Sequence, residues 1–106
     1  MGQDKLLQAV SMCRGAGKLK IGFDATVQGI EKGAPLVLIA QDASDRTRRN
    51  IRRICEDGFT QAVDIPRTQE DIEYTVGRRF AVAAVCDENF ARLIERHIVD
   101  NEEANL

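Results

Sequence analysis

The sequence contains few of the residues on which disulfide frameworks and metal centres depend. It has three cysteines, one histidine, one tyrosine, two prolines and no tryptophan among 106 residues. The cysteines, Cys13, Cys55 and Cys86, are odd in number and form no CxxC pair, which argues against both a disulfide framework and a zinc site. We therefore expect each cysteine to behave as a small buried hydrophobic side chain.

Long hydrophobic runs are also absent. No apolar stretch approaches the roughly 20 residues that a membrane span requires, and Asp4 and Lys5 precede only a short apolar segment, unlike a secretory signal. These features favour a cytoplasmic protein with no membrane association. The length favours a single domain over residues 1–99, followed by an acidic tail over residues 100–106 that we expect to be disordered.

Signatures of catalysis are missing as well. A single histidine excludes chemistry that needs a histidine pair, and no pair of carboxylates lies opposite a plausible nucleophile. Gly15 to Lys18 (GAGK) invites comparison with a phosphate-binding loop, but that loop has four residues between its glycines and a Ser or Thr after the lysine, where Leu19 stands. We therefore expect a protein that is not an enzyme and that uses no metal or cofactor.

The most informative stretch that the chain does contain is residues 35–54. Leu36 to Ala40 is an apolar run without polar alternation, which is typical of a strand covered by helices on both faces. A helix is predicted directly after it, over residues 44–57. Its inward stripe is formed by Thr47, Ile51, Ile54 and Cys55. The stretch therefore predicts an α/β fold.

The same patterns predict five helices and four strands in alternation, separated by glycine, proline and capping residues. Helices are expected over residues 4–14, between Gly22 and Gly33, over 44–57, over 68–76, and from Asp87 onward. Strands are expected over residues 18–21, 36–40, 60–65 and 81–85. The small residues of the last strand suit close packing of a helix. This order predicts a three-layer α/β/α sandwich around a four-stranded mixed sheet.

Charge is distributed unevenly along the chain, although the net charge is only −2. Residues 1–53 contain ten Lys and Arg against five Asp and Glu, whereas residues 54–106 contain five against twelve. A polyanion would bind the first half and avoid much of the second, unless both are ordinary solvated surface. Five arginines fan across the outer side of the third predicted helix: Arg46, Arg48, Arg49, Arg52 and Arg53.

Two further places have features of a phosphate or RNA contact. Gly22 precedes the second helix, where a glycine lets the first amides of the helix approach a phosphate closely. Gly77, Arg78, Arg79 and Phe80 form the loop before the last strand, where the arginines would contact phosphate and the Phe80 ring would stack on a base. The alternative for this loop is an exposed turn with Phe80 in the core.

Three segments together resemble the YlxQ-like bacterial branch of the L-seven-Ae ribosomal protein family. They are LQAVSMCRGAGKLKI at 7–21, LVLIAQDASDRT at 36–47 and VGRRFAVAAVCDENFA at 76–91. The resemblance covers residues 6–98 and implies a small RNA-binding protein with the three-layer fold. It also implies recognition of kink-turns, in which duplex RNA bends sharply at a bulge beside tandem G·A pairs, and a ribosomal or ribosome-associated role.

The resemblance implies that RNA contacts come from the N-terminus of the second helix and from the loop before the last strand. The family pattern for the helix start is Gly, any residue, Asn or Lys, Glu or Gln, Thr or Ser, any residue, Lys. Gly22 and Thr26 match it. The departures are Asp24, Ala25 and Gln28. The RNA-binding residues expected on this basis are Lys18, Lys20, Gly22, Phe23, Asp24, Ala25, Gln28, Gly77, Arg78, Arg79 and Phe80.

Two functional hypotheses follow. The first is a non-catalytic RNA-binding protein that recognises structured, kink-turn-like RNA. The second, motivated by Asp24 and Ala25, is a protein–protein interaction module of the same fold that has lost kink-turn specificity and uses the arginine-rich helix 44–57. An enzyme is the least favoured class.

Overall fold

The computed structural model describes residues 4–104, and it describes side chains through residue 99. Within that range, five helices and four strands alternate. The helices are α1 (Lys5–Gly15), α2 (Phe23–Glu31), α3 (Asp45–Asp57), α4 (Gln69–Val76) and α5 (Glu88–Ala104). The strands are β1 (Leu19–Ile21), β2 (Leu36–Ile39), β3 (Gln61–Asp64) and β4 (Val82–Val85). The element order predicted from the sequence is confirmed.

The four strands form one mixed sheet in the order β1-β4-β2-β3. β4 is antiparallel to both of its neighbours, with Leu36 opposite Val85 and Ile39 opposite Val82, whereas β2 and β3 are parallel. β1, β2 and β3 therefore point in one direction and β4 in the other. We call the edge that holds the C-terminal ends of β1, β2 and β3 and the start of β4 the upper edge of the sheet.

Helices cover both faces of this sheet, which confirms the predicted three-layer α/β/α sandwich. α1, α4 and α5 pack on one face, and α2 and α3 pack on the other. Successive side chains of β2 alternate between them, because Leu36 and Leu38 face the first layer while Val37 and Ile39 face the second. All four are fully buried, as expected for a strand with helices on both sides.

Close packing of α2 on the sheet depends on small residues at the contact. A Cβ atom at Gly29 would lie 2.9 Å from the Cβ atom of Ala84 on β4. Any side chain at position 29 would collide with the strand, so glycine on the helix, opposite a small residue on the strand, lets the two backbones approach closely. The prediction that the small residues of the last strand suit close helix packing is confirmed.

The GAGK segment ends α1 and does not hold a phosphate loop. The backbone N–H groups of residues 16, 17 and 18 donate to the carbonyl oxygens of Met12, Arg14 and Cys13 over 3.0 Å each. These amides satisfy the last turn of the helix, so they do not converge on an anion.

The cysteines lie largely in the interior. Cys13 and Cys55 are buried, as predicted, while Cys86 is half-buried at the end of β4, and all three are free thiols. Burial raises the pKa of the Cys13 thiol to about 12, and the neighbouring Cys86 and Asp87 add to the effect. Cys13 is therefore a neutral packing residue at physiological pH.

The C-terminal helix extends further than the sequence indicates. Disorder is predicted from residue 100, whereas α5 continues in helical conformation to Ala104. The stretch from 100 to 104 lacks apolar periodicity, but it contains two glutamates and an alanine and no helix-breaking residue, so it can prolong an existing helix. The last two residues of the predicted tail lie outside the described part. No helix in the described part of the chain combines the length and the apolar character that a membrane span requires.

Candidate nucleic-acid interface

The two places expected to contact RNA meet at the upper edge of the sheet. The backbone N–H of Gly22, just before α2, donates to the carbonyl oxygen of Val82 at the start of β4 over 3.1 Å. Beside it, the N–H of Ala40 donates to the carbonyl oxygen of Ala81 over 2.8 Å. Because a chain spans at most about 7 Å in two residues, the Cα atom of Arg79 lies near this junction. One ligand can therefore contact both places at once.

The N-terminus of α2 differs from those of the other helices in having no side-chain cap. α1, α3, α4 and α5 are preceded by Asp4, Ser44, Thr68 and Asp87, each of which accepts a hydrogen bond from an amide of the first turn. α2 is preceded by Gly22, with φ of 101° and ψ of 164° and no side-chain cap bond. Its first amides, at the positive end of the helix dipole, are thus available to an acceptor on a ligand.

Some side chains at the N-terminus of α2 lie at the surface and others lie in the interior. Phe23 is 37% exposed, Asp24 and Gln28 are exposed, and Ala25 is half-buried. Thr26 is fully buried, and its hydroxyl has no hydrogen-bond partner among the described residues. Thr26 is thus one of the two positions that match the pattern of the resembled family, but its side chain lies inside the fold and cannot contact a ligand.

The loop before β4 presents two cations. Arg78 is exposed, and no ion pair to it is formed by the described residues. Arg79 lies 3.4 Å from a carboxylate oxygen of Glu73, but both side chains are more than half exposed, so this pair is weak and easily exchanged for a phosphate. Gly77 ends α4 with φ of 89°, and Arg14 donates to the carbonyl oxygen of Val76 over 3.1 Å, which fixes where the loop leaves the helix.

Phe80 does not take part in this surface. Its side chain is 3% exposed and packs in the core between the sheet and the layer of α1, α4 and α5. The prediction that the ring stacks on an RNA base is wrong in this conformation, because both of its faces are covered by protein. The alternative, a turn with Phe80 in the core, is confirmed.

Lys18 lies at the other end of the sheet. Its carbonyl oxygen accepts from the N–H of Cys86, at the far end of β4, over 2.8 Å. At about 3.3 Å per residue, the strand separates Lys18 from Gly22 by roughly 13 Å. The sequence predicts that Lys18 joins the site, but the structure does not bring it together with Gly22.

Lys20 and Gln28 lie between these two ends. They line a cleft of about 280 Å³ between β1 and α2, and Lys32 lines it as well. The sequence gives Lys32 no functional signal, because it stands outside every motif, in the turn that ends α2. Lys20 and Lys32 thus place two positive charges beside this cleft.

The five arginines of α3 do not form one surface. Arg48 donates from Nε to Asp64 of β3 over 3.0 Å and from its terminal nitrogens to the carbonyl oxygens of Ala40 (3.1 Å), Gln41 (3.3 Å) and Ala43 (3.4 Å). Arg52 donates to the other carboxylate oxygen of Asp64. The prediction that all five face outward is wrong for Arg48, whose side chain is only 25% exposed. Arg52 does lie at the surface, but the edge strand β3 brings a carboxylate beside it. The other three are Arg46, Arg49 and Arg53, all at the surface.

Comparison with known proteins shows the fold. No protein-family model matches the sequence. A protein of unknown function from Bacillus halodurans C has a TM-score of 0.83 and 20% sequence identity, over 92% of this chain and 99% of that chain. A 15.5 kD RNA-binding protein from Giardia lamblia has a TM-score of 0.71 and 19% identity, over 97% of this chain and 92% of that chain. The chain therefore shares its whole architecture with both.

Proposed function

We propose that the chain is a non-catalytic RNA-binding protein of the YlxQ-like branch of the L-seven-Ae ribosomal protein family, ribosomal or ribosome-associated and cytoplasmic. The observation that carries the proposal is the junction of the uncapped α2 N-terminus with the loop that holds Arg78 and Arg79. The proposal is supported by the similar fold of the Giardia protein, which is described as RNA-binding. The RNA is kink-turn-like, because such an RNA presents unpaired bases and closely spaced phosphates at one bend.

Each part of the junction takes a different RNA group. The amides of α2 donate to acceptor atoms, and Arg78 and Arg79 neutralise phosphates on either side of the bend. The carboxylate of Asp24 repels phosphate but accepts hydrogen bonds from the amino groups of unpaired bases. Asp24 therefore directs a base edge toward the helix start and leaves the phosphates to the arginines.

The test is a gel shift with a kink-turn RNA and a straight duplex of equal length. We expect tighter binding to the kink-turn, and equal, weak binding to both would refute kink-turn recognition. The double variant R78Q/R79Q should lower the slope of log affinity against log salt by about one unit for each phosphate that is no longer neutralised. The matched control is R92Q/R96Q on exposed positions of α5, which removes the same charge and should leave the slope unchanged.

The second candidate is a protein–protein interaction module that has lost kink-turn specificity. It is favoured by the exposed carboxylate of Asp24 at the helix start. Arg48 and Arg52 are committed to Asp64, so a partner would use Arg46 and Arg49. A pull-down that recovers a specific protein after nuclease treatment, and loses it in R46E/R49E, would support this function over RNA binding.

A further inference from the structure

The three arginines of α3 that do not bind Asp64 lie on one line. Arg46, Arg49 and Arg53 follow the spacing i, i+3, i+7, which places them on a single face of a helix. The buried residues Ile51 and Cys55 occupy the opposite face. We call Arg46, Arg49 and Arg53 the outer stripe. At 1.5 Å per residue, it places three positive charges within about 10 Å of helix.

The charge of the outer stripe is not neutralised within the described part of the protein. Three carboxylates share the helix, Asp45, Glu56 and Asp57. None of them forms an ion pair with the outer stripe among the described residues, and Asp64 is already bound by two other arginines. The stripe is thus a continuous basic surface that a polyanion complements.

Phe59 stands directly beyond the C-terminal end of the same helix. Its side chain is 97% exposed, and its backbone has φ of 56°, the left-handed region that bulky residues rarely adopt. The turn is held by hydrogen bonds from the N–H of Phe59 to Glu56 (3.2 Å) and from the N–H of Thr60 to Cys55 (2.8 Å). Asparagine or glycine would satisfy this turn with less strain and would expose no apolar ring. The phenylalanine therefore serves no packing purpose in the fold.

We propose that the outer stripe and Phe59 together bind a single-stranded segment of RNA, with the guanidinium groups on the phosphates and the Phe59 ring stacked on a base. A basic track with an adjacent aromatic side chain is the usual composition of a single-strand binding surface. The proposal rests on the proposed function in that the ligand is RNA, but it uses a different surface.

The position of α3 would let it bind single-stranded RNA that continues from the proposed kink-turn site at the upper edge. α3 follows β2 and so begins at the upper edge, where the N-terminus of α2 meets β4. It ends at the opposite edge, beside Phe59. A single strand that leaves the folded RNA at the upper edge would meet Arg46 first and Phe59 last.

The surroundings of Phe59 favour a base over a protein partner. Its neighbours in the chain, Asp57, Gly58, Thr60 and Gln61, carry no apolar side chain, and the ring itself is 97% exposed. An aromatic anchor in a protein–protein interface is surrounded by further contacts that exclude water, whereas a base that stacks on an aromatic ring needs only one flat face of it.

The experiment measures fluorescence anisotropy of two labelled probes, an unstructured oligouridine of about 12 nucleotides and a folded kink-turn RNA. The variants are R46Q/R49Q/R53Q and Phe59→Asn. The matched control is K5Q/R92Q/R96Q, which removes three charges from surface positions of the other helical layer. Thermal unfolding of Phe59→Asn should occur at the same or a higher temperature, so that any loss of binding is not a loss of folding.

We expect the stripe variant and Phe59→Asn each to weaken oligouridine binding about tenfold, while the control stays within about twofold of wild type. Failure of wild type to bind oligouridine would overturn the proposal, as would equal losses in the stripe variant and the control. If Phe59→Asn binds like wild type, the stripe is a site for any polyanion and the single-strand assignment is wrong.

The two proposals fail in distinguishable ways. Loss of kink-turn binding in R78Q/R79Q with oligouridine binding intact supports two separate surfaces. If wild type binds oligouridine through the stripe but does not prefer the kink-turn over a duplex, the proposed function fails at the upper edge and the outer stripe stands.

Discussion

Arg48 of α3 and Asp64 of β3 are joined by a 3.0 Å hydrogen bond from Nε to the carboxylate, in a pair that is less than half exposed. Because Arg48 also donates to carbonyl oxygens between β2 and α3, one side chain holds an edge strand, a helix and the loop between β2 and α3 together. Its charge is therefore neutralised within the protein.

Replacing Arg48 with alanine should destabilise the fold. It removes charge-assisted hydrogen bonds to Asp64 and to the loop carbonyls, and we expect a loss of about 1–2 kcal/mol in the free energy of unfolding, measured with urea. The adjacent Arg49→Ala is the control, because Arg49 lies at the surface and its loss should change stability by less than about 0.5 kcal/mol. Equal effects of the two substitutions would show that Arg48 has no scaffold role.

Phe80 should matter for stability and not for RNA contact. Phe80→Ala leaves a cavity beneath α1 and α4 and should cost about 3–5 kcal/mol of unfolding free energy. Phe80→Leu keeps most of the buried volume, so the folded variant should bind kink-turn RNA as wild type does. A well-folded Phe80→Leu that loses RNA binding would restore the stacking role that the burial of the ring argues against.

Replacing Gly22 with any residue that has a side chain should destabilise the fold. Its φ of 101° with ψ of 164° is a conformation that only glycine adopts readily, so Gly22→Ala should cost about 1–3 kcal/mol and displace the start of α2. Kink-turn affinity should fall with it. Gly15→Ala is the control, since a Cβ there meets nothing within 4 Å and alanine suits the last turn of a helix. Equal stability changes in the two variants would show that the backbone at Gly22 does not require glycine.

The ion pair between Asp4 and Arg67 should make stability depend on acid pH. Burial raises the pKa of Asp4, but hydrogen bonds from Arg67 and from the amides of Leu7 and Leu6, with the charge of Arg67, outweigh it and leave the pKa below the usual 3.8. A carboxyl with a lowered folded-state pKa contributes stability that is present above its unfolded pKa and is lost as pH falls through its folded pKa.

Asp4→Asn isolates this contribution, because asparagine still caps α1 but carries no charge. Urea unfolding at a series of pH values should show wild type more stable than the variant by a constant amount above about pH 5, with the difference shrinking as pH falls below about 4. A difference independent of pH would mean that the Asp4 charge does not stabilise the folded state.

The fold could be predicted from the sequence because apolar residues recur at the regular spacing of helices and form unbroken runs in the buried strands. The run Leu36 to Ile39 is buried on both faces as expected, and the order of elements places Gly22 and the start of β4 at one edge of the sheet. The position of Lys18 could also have been predicted, because a strand over residues 18–21 separates Lys18 from Gly22 by roughly 13 Å. The register of β1 on β4 agrees, since it places Leu19 opposite Val85 at the far end of β4.

The roles of individual side chains were harder to predict where two neighbouring residues of the same type point in different directions from the helix. Arg48 and Arg49 are neighbours in sequence, yet a helix turns about 100° between them, and one binds Asp64 while the other faces solvent. That difference depends on where β3 packs, which no local pattern contains. The same holds for Phe80. An aromatic residue just before a buried strand can lie in an exposed loop or in the core, and the sequence alone does not decide between them.

The most direct test of RNA binding at the upper edge is a nuclear magnetic resonance titration of the ¹⁵N-labelled protein with kink-turn RNA. We expect the backbone amides of Gly22, Phe23, Asp24, Arg78 and Arg79 to shift most, while those of exposed residues on α5, such as Arg92, stay in place. Large shifts confined to other surfaces, with the amides at the start of α2 unchanged, would refute RNA binding at the upper edge.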